Sequence, residues 1–466
     1  MSARAPEPRR VAVLGAGIAG LSAAFEIARS GRGQATVLEA SERAGGKILS
    51  LARSGAVYEA GPDSFLSAKP DVLELAKELG LSGELVSTRP GSSSVSIYSG
   101  GRLRALKGGL WPPKASALLG SGLLSWRAKL RLALGRWAKP EPAGAPDESM
   151  ADFVRRRFGQ EVLERIADPL LAGIYAGDPE ELSLESTFPQ IKQALLKNGA
   201  GAARAPWRPP PGQSLFMTFR GGLSRLPEAL CAALPGKTVR TGARVLELSR
   251  RGRQWTVETS SGRFQADVII SALPANALAP AVERLDPELA AALREIPFAS
   301  TATVSFLYND AALPRRPEGF GFLVPRKEGK AISAATYSSS KFPGRAPEGK
   351  TLVRCFLGGA GRSAAAEKSE EDVIRLAAEE LSEILGLGKN CRPEEVRAWR
   401  WIEANPQYVV GHALRLRRLE SCLRSHPGLI LAGASYRGVG LPDCVRSGRA
   451  AARAAISPSA GFPAVA

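Results

Sequence analysis

An α/β fold built on a parallel, helix-covered sheet is predicted by three features near the start of this 466-residue chain. An apolar strand, Val11-Ala-Val-Leu14, runs into the turn Gly15-Ala-Gly17-Ile-Ala-Gly20. A helix follows over Leu21 to Arg29 and is stopped by Gly31. A second strand, Ala35-Thr-Val-Leu-Glu39, then ends in a carboxylate. In this order the features make a Rossmann-like dinucleotide-binding unit. Gly15 permits the tight turn, Gly17 lets the backbone approach a pyrophosphate, and Gly20 lets the helix pack close to the sheet. Glu39 is placed to accept hydrogen bonds from a ribose 2′-hydroxyl. The helix N-terminus turns unpaired N–H groups and a positive dipole toward the phosphates.

After Glu39 the chain reads Glu42-Arg43-Ala44-Gly45-Gly46-Lys47. This resembles the RxGG element of the two-dinucleotide-binding-domain flavoproteins, a group that binds FAD and includes amine oxidases, carotenoid desaturases and porphyrinogen oxidases. The chain returns to the nucleotide near its end, where the strand Gly428-Leu-Ile-Leu-Ala-Gly433 leads through Ala434-Ser-Tyr-Arg-Gly-Val-Gly440 to Leu441-Pro442 and a helix of small residues. Proline in the first turn and glycines before it leave N–H groups free at that helix start. Such a terminus can stabilise negative charge developing on the N1/O2 edge of a flavin.

The length predicts two or three domains and room to bury a flavin. No apolar signal-peptide region and no run of eighteen apolar residues occur, so a cytoplasmic protein without a spanning helix is expected. Five dispersed cysteines without a CxxC pair argue against disulfides, zinc and a redox dithiol. Two histidines leave little material for metal sites or Ser/His/Asp hydrolysis, so no metal is expected and the chemistry falls to the cofactor.

The net charge is +18, much of it arginine scattered through Ala/Gly-rich helices. The stretch from Gly101 to Lys139 differs, with nine Lys/Arg and no Asp/Glu. There Leu119, Leu123, Trp126, Leu130, Leu134 and Trp137 recur at helical spacing, flanked by Arg127, Lys129, Arg131 and Arg136. The stripe reads either as a core helix or as an interfacial helix on an anionic membrane surface. No motif points to nucleic acid.

The nucleotide domain is expected to be discontinuous, over residues 1–88, 214–274 and 395–460. Residues 89–104 and 275–394 mix strands with the helix Glu370 to Leu385 and suit a substrate domain. The helical, basic insertion spans 105–205, and a Pro/Gly/Ala/Arg-rich loop covers Gly199 to Gly212.

Four further segments sharpen the resemblance: Pro169-Leu-Leu-Ala-Gly-Ile-Tyr-Ala-Gly-Asp178, Gly319-Phe-Gly-Phe-Leu-Val-Pro325, Pro406-Gln-Tyr-Val-Val-Gly-His412 and Gly433-Ala-Ser-Tyr-Arg-Gly-Val-Gly-Leu-Pro-Asp-Cys444. End to end the chain resembles the porphyrinogen oxidases, FAD enzymes that oxidise protoporphyrinogen IX or coproporphyrinogen III in haem biosynthesis. The resemblance implies FAD contacts at Gly15, Gly17, Gly20, Glu39, Arg43, Gly46, Lys47, Gly61, Pro62, Val245, Val439 and Leu441. It implies a substrate cavity lined by Gly173, Ala176, Phe322, Leu323 and Phe356. A large, nearly apolar tetrapyrrole needs flat apolar walls and a few charges for its propionates. Protoporphyrinogen-oxidising relatives often carry a propionate-binding arginine where Val95 stands; Arg89, Arg102 and Lys341 are candidate replacements, and coproporphyrinogen III is favoured as substrate.

The reaction implied is a six-electron oxidation in three two-electron steps, with O₂ reoxidising the flavin to yield H₂O₂; no side-chain base is assigned. Coupling to ferrochelatase and a membrane-associating role for the basic insertion are further implications. The alternatives are another flavin oxidase or desaturase of the amine-oxidase superfamily, or a non-catalytic flavin- or porphyrin-binding protein.

Overall fold

The structure, a computed structural model, describes residues 8–91, 94–106, 120, 122–134 (side chains to 131), 146–192, 209, 212–388, 390–457 and 465. The first strand, Arg9–Leu14, enters the helix Ile18–Ser30, which ends at Gly31 in the left-handed conformation. The return strand Gly33–Leu38 pairs parallel with the first. Their sheet has five parallel strands in the order Val239–Arg240, Gly33–Leu38, Arg9–Leu14, Val268–Ser271 and Leu429–Leu431. This sheet draws its strands from the start, middle and end of the chain. The C-terminal helix Leu441–Ile456 packs on the N-terminal helix, and the two share one apolar cluster.

Seven strands form the second large sheet, in the order Glu395–Pro406, Phe298–Asn309, Lys350–Gly358, Ile332–Tyr337, Gly321–Leu323, Val95–Ser99 and Arg102–Leu106. Only the Gly321–Leu323 and Val95–Ser99 pair is parallel. One face packs on the helix Glu370–Leu385 through Val373, Ala377, Leu381 and Ile384. The other packs on helical segments between Met150 and Thr187 through a separate cluster that includes Leu170, Leu171 and Leu323. Strand alternation sends successive side chains to these two layers.

One boundary differs from the sequence reading. Glu395–Pro406, expected in the nucleotide domain, is hydrogen-bonded to Phe298–Asn309 and forms the edge of the seven-stranded sheet. Val239–Arg240 ends the parallel sheet, and Val245–Arg251 starts a three-stranded antiparallel sheet. Gly242, at φ +67°, makes the break.

Of the basic stretch Gly101 to Lys139, residues 101–106, 120 and 122–134 lie within the described residues. Its helix runs over Trp126–Leu134. Leu123 precedes it and is fully buried, whereas Trp126 and Leu130 are 70% and 53% exposed. The expected single stripe is therefore split between core and surface. Leu119, Arg136, Trp137, the side chain of Leu134 and the loop 199–208 lie outside the described residues. No described helix is long and apolar enough to cross a membrane.

Candidate active site

The nucleotide end of the site forms where the parallel strands finish. The Gly15 N–H donates to the Leu38 carbonyl at 2.7 Å, and a φ of +93° turns the chain there. A Cβ on Gly20 would collide with the Gly15 carbonyl oxygen, whereas one on Gly17 would meet nothing within 4 Å. Gly20 thus fixes helix against turn, and Gly17 leaves open space at the helix N-terminus. Glu39 closes this turn, accepting from the Ala16 N–H at 2.7 Å and from the Ser41 N–H and hydroxyl at 2.9 and 2.8 Å.

The Arg43-to-Lys47 segment wraps over the same opening. The Arg43 guanidinium donates to the carbonyls of Ala44, Gly46 and Ile48 at 3.3, 2.6 and 3.1 Å, so its work is to shape the loop. The Gly45 N–H donates to the Ala16 carbonyl at 2.8 Å, and a Cβ on Gly46 would lie 3.0 Å from the Gly17 Cα. Lys47 donates to the Ala404 carbonyl. Burial pushes its ammonium below the usual lysine range, and the neighbouring Cys444 thiol is pushed up to about 12 by burial. A Cβ on Gly61 would collide with the Lys47 carbonyl oxygen, so the turn Gly61-Pro62-Asp63 presses on this segment. Val439 and Leu441 flank Gly440, the N-cap of Leu441–Ile456. Val245 opens its strand opposite Thr259, beside a register bulge. Two glycine-lined helix starts and an open Gly17 suit a dinucleotide, and FAD fits these residues.

Of the residues expected to line a substrate cavity, Gly173 lies in the helix Asp168–Tyr175, where its added Cβ would stand 3.4 Å from Leu323 Cδ2. Leu323, Ala334 and Phe356 are cross-strand partners in one row and project to one face. Phe322, expected beside Leu323, instead packs in the opposite layer against Tyr337, at 6.1 Å between ring centroids. Adjacent residues of a strand point to opposite faces, so the two cannot share a wall. Ala176 takes a left-handed φ of +50° and accepts from the Ala360 N–H at 2.7 Å. Arg326 ties this segment down: it pairs with Asp168 at 3.0 Å and Asp178 at 2.6 Å and donates to the Gly177 and Ala360 carbonyls at 3.1 and 2.8 Å.

The motifs that carried the resemblance meet here. The Gln407 amide donates to the Tyr175 carbonyl at 3.2 Å. The Tyr408 hydroxyl donates to the Ala434 carbonyl at 2.7 Å and accepts from the Gly438 N–H at 2.8 Å. His412 stacks on Tyr408 with centroids 4.2 Å apart, and its Nε2 lies 2.8 Å from the Tyr436 carbonyl. One motif therefore buttresses the other two.

Of the three candidate carboxylate anchors, Lys341 is committed elsewhere: it pairs with Asp63 at 3.1 Å, within 5.1 to 5.7 Å of the rings of Phe216, Phe320 and Phe342. Lys341 and Arg354 hold Asp63 well below the usual carboxylate range against the upward push of burial. Arg102 is exposed on the outermost strand, and Arg89 donates to the Ser339 carbonyl at 3.3 Å. Sequence reasoning missed Arg354, which lies over the Phe356 ring at 4.6 Å and donates to the Ala60 and Gly61 carbonyls. Strand alternation linking it to Phe356 was the available signal.

The family model for flavin containing amine oxidoreductases matches residues 18–456. The coproporphyrinogen III oxidase of Bacillus subtilis (strain 168) is 36% identical, covering 96% of this chain and 98% of its own. The protoporphyrinogen oxidase of Homo sapiens is 35% identical, covering 95% and 98%. A crystal structure of an Exiguobacterium sp. 255-15 protein assigned to the protoporphyrinogen oxidases superposes with a TM-score of 0.84 at 30% identity, covering 96% and 98%. With these likenesses spanning both the nucleotide turn and the converging motifs, the chain belongs to the flavin-containing amine oxidoreductases, in their porphyrinogen oxidase branch, with FAD as its cofactor.

Proposed function

We propose that this protein oxidises a porphyrinogen to the porphyrin in haem biosynthesis, with coproporphyrinogen III as substrate and O₂ as the final acceptor. The observation that carries the reading is the meeting of Gly173–Asp178, Pro406–His412 and Gly433–Cys444 around one site. The near-full-length likeness to the Bacillus subtilis enzyme supports it. FAD, when bound, supplies the two-electron acceptor that O₂ reoxidises to give H₂O₂. The chain's own part is to orient an apolar macrocycle and exclude water. Gly173 leaves room for the ring, and Leu323, Ala334 and Phe356 offer a flat apolar wall, while the backbone of Ala176 closes one end. Each two-electron step also releases a pyrrole N–H proton, which passes to solvent without a dedicated side-chain base. Support for the four-propionate substrate comes from Val95, which is buried in the apolar layer and offers no charge.

The partners proposed with this activity are an anionic membrane surface and ferrochelatase as the consumer of the product. The test is a side-by-side kcat/KM for coproporphyrinogen III and protoporphyrinogen IX, with H₂O₂ measured against porphyrin formed. A higher value for coproporphyrinogen III with three H₂O₂ per porphyrin is expected. Preference for protoporphyrinogen IX overturns the substrate assignment, and no turnover of either overturns the activity.

A further inference from the structure

The corner between the seven-stranded sheet and the Ala60–Ser64 turn gathers five ionisable side chains: Glu59, Lys341, Arg345 and Arg354, all buried, and Asp63, 18% exposed. Two ion pairs account for four of them, Asp63 with Lys341 at 3.1 Å and Glu59 with Arg345 at 3.3 Å. Arg354 is the fifth. It is 2% exposed, and only its Nη2 finds acceptors among the described residues, the carbonyls of Ala60 at 3.3 Å and of Gly61. Its Nε is buried without a partner. A guanidinium keeps its charge at any physiological pH. Three cations against two carboxylates therefore leave this corner one anion short, and an uncompensated buried charge is costly.

The register puts this cation on the wall that faces the Gly173 helix. Arg354 stands opposite Thr336, Thr336 opposite Gly321, and Gly321 opposite Val95. Two residues along each strand lies the parallel row of Phe356, Ala334, Leu323 and Ile97, and that row meets Gly173 through Leu323. Both rows point to one face because side chains two apart on a strand do. Gly321 and Thr336 stand between Val95 and Arg354 in their row. Three strand spacings separate those two residues, about 14 Å.

We propose that Arg354 binds a carboxylate of the tetrapyrrole substrate, placing one propionate at the Ala60–Gly61 end of the Phe356 wall. The proposal rests on the porphyrinogen reading above and adds the residue that recognises the acid. The guanidinium is stacked on Phe356 and fixed by two carbonyls, so its remaining donors are oriented before the carboxylate arrives.

The experiment compares wild type, Arg354→Gln and Arg354→Lys, each purified with FAD. It measures KM for coproporphyrinogen III and equilibrium binding of coproporphyrin III and its tetramethyl ester, followed by tetrapyrrole fluorescence in the same detergent. Wild type should favour the acid over the ester. Arg354→Gln should lose that preference and raise KM about tenfold or more, the size expected for a charged hydrogen bond, with ester binding and FAD content unchanged. Arg354→Lys should recover part of the preference, and it carries the comparison should the glutamine variant fail to hold FAD. An acid-to-ester ratio unchanged in both variants overturns the proposal. So does an unchanged ratio with a shifted flavin reduction potential, which would make Arg354 a counter-ion to the cofactor. If wild type neither binds nor turns over the acid, the porphyrinogen reading itself falls and takes the proposal with it.

Discussion

His412 shows how a single side chain can report on folding at this site. It is 1% exposed, stacked on Tyr408 and joined to the Tyr436 carbonyl. Burial lowers its pKa from 6.5 to about 4, with the Tyr436 carbonyl opposing and Arg415 and Arg437 adding to the fall. The unfolded chain then binds the proton more readily than the folded one. The contribution of neutral His412 is complete above about pH 6.5 and is lost as pH falls toward 4, at roughly 1.4 kcal/mol per unit and about 3 kcal/mol in all. Thermal unfolding of wild type and His412→Gln at pH 7.5 and 4.5 tests this. Wild type should lose more Tm between the two pH values than the variant, and equal losses would remove His412 as the protonation site. At the same scale, Gly15 and Gly20 were legible because each answers a local backbone demand, a positive φ at the first and close helix packing at the second. Phe322 and Lys341 were not. Phe322 was misplaced by neglecting the two-residue period of its strand, and Lys341 was offered as a free cation although Asp63, far away in sequence, neutralises it.

Between elements, Ile18–Ser30 packs on Leu441–Ile456, and the N-caps of both, Gly17 and Gly440, lie in the segments expected to hold the cofactor. Gly448 lies at their crossing, where a Cβ would collide with the Ala19 carbonyl oxygen. Gly-to-Ala inside a helix ordinarily gains up to about 1 kcal/mol. Here the added methyl meets backbone that cannot rotate away, and overpacking of this kind costs about 1–3 kcal/mol. Gly448→Ala should therefore lower Tm and reduce FAD per chain together, read by differential scanning fluorimetry and flavin absorbance. A Tm at or above wild type would mean the helices have room to separate. The helix itself was legible from Pro442 and its run of small residues, as was Glu370–Leu385, whose ends agree with the sequence reading. The partner of Glu395–Pro406 was not legible. Its residues suit a strand in either sheet, and only hydrogen bonding to Phe298–Asn309, some hundred residues earlier, decides between them.

For the whole molecule, the net charge of +18 and one exposed helix bear on where the protein works. Charge alone does not decide this, since many of the arginines are paired, as Arg326, Arg345 and Arg449 are. The helix Trp126–Leu134 differs because Trp126 and Leu130 stand in solvent and Arg127 lies over the Trp126 ring at 5.4 Å. Its inner side is anchored by Ala128 and by Arg131, which donates to the Arg155 carbonyl at 3.1 Å. A fixed inner side and an exposed Trp/Leu side fit docking on an anionic surface, where each basic residue adds on the order of 1 kcal/mol. Co-sedimentation with anionic and neutral vesicles at low and high salt measures this. Binding to anionic vesicles should weaken with salt, because charges farther apart than about 10 Å are screened at 0.1 M, yet persist in part through the apolar contact. Trp126→Ser with Leu130→Ser should reduce the salt-resistant share, and Arg127→Gln with Lys129→Gln the salt-sensitive share. If wild type ignores anionic vesicles even at low salt, the exposed side of this helix belongs to another contact and the membrane assignment fails.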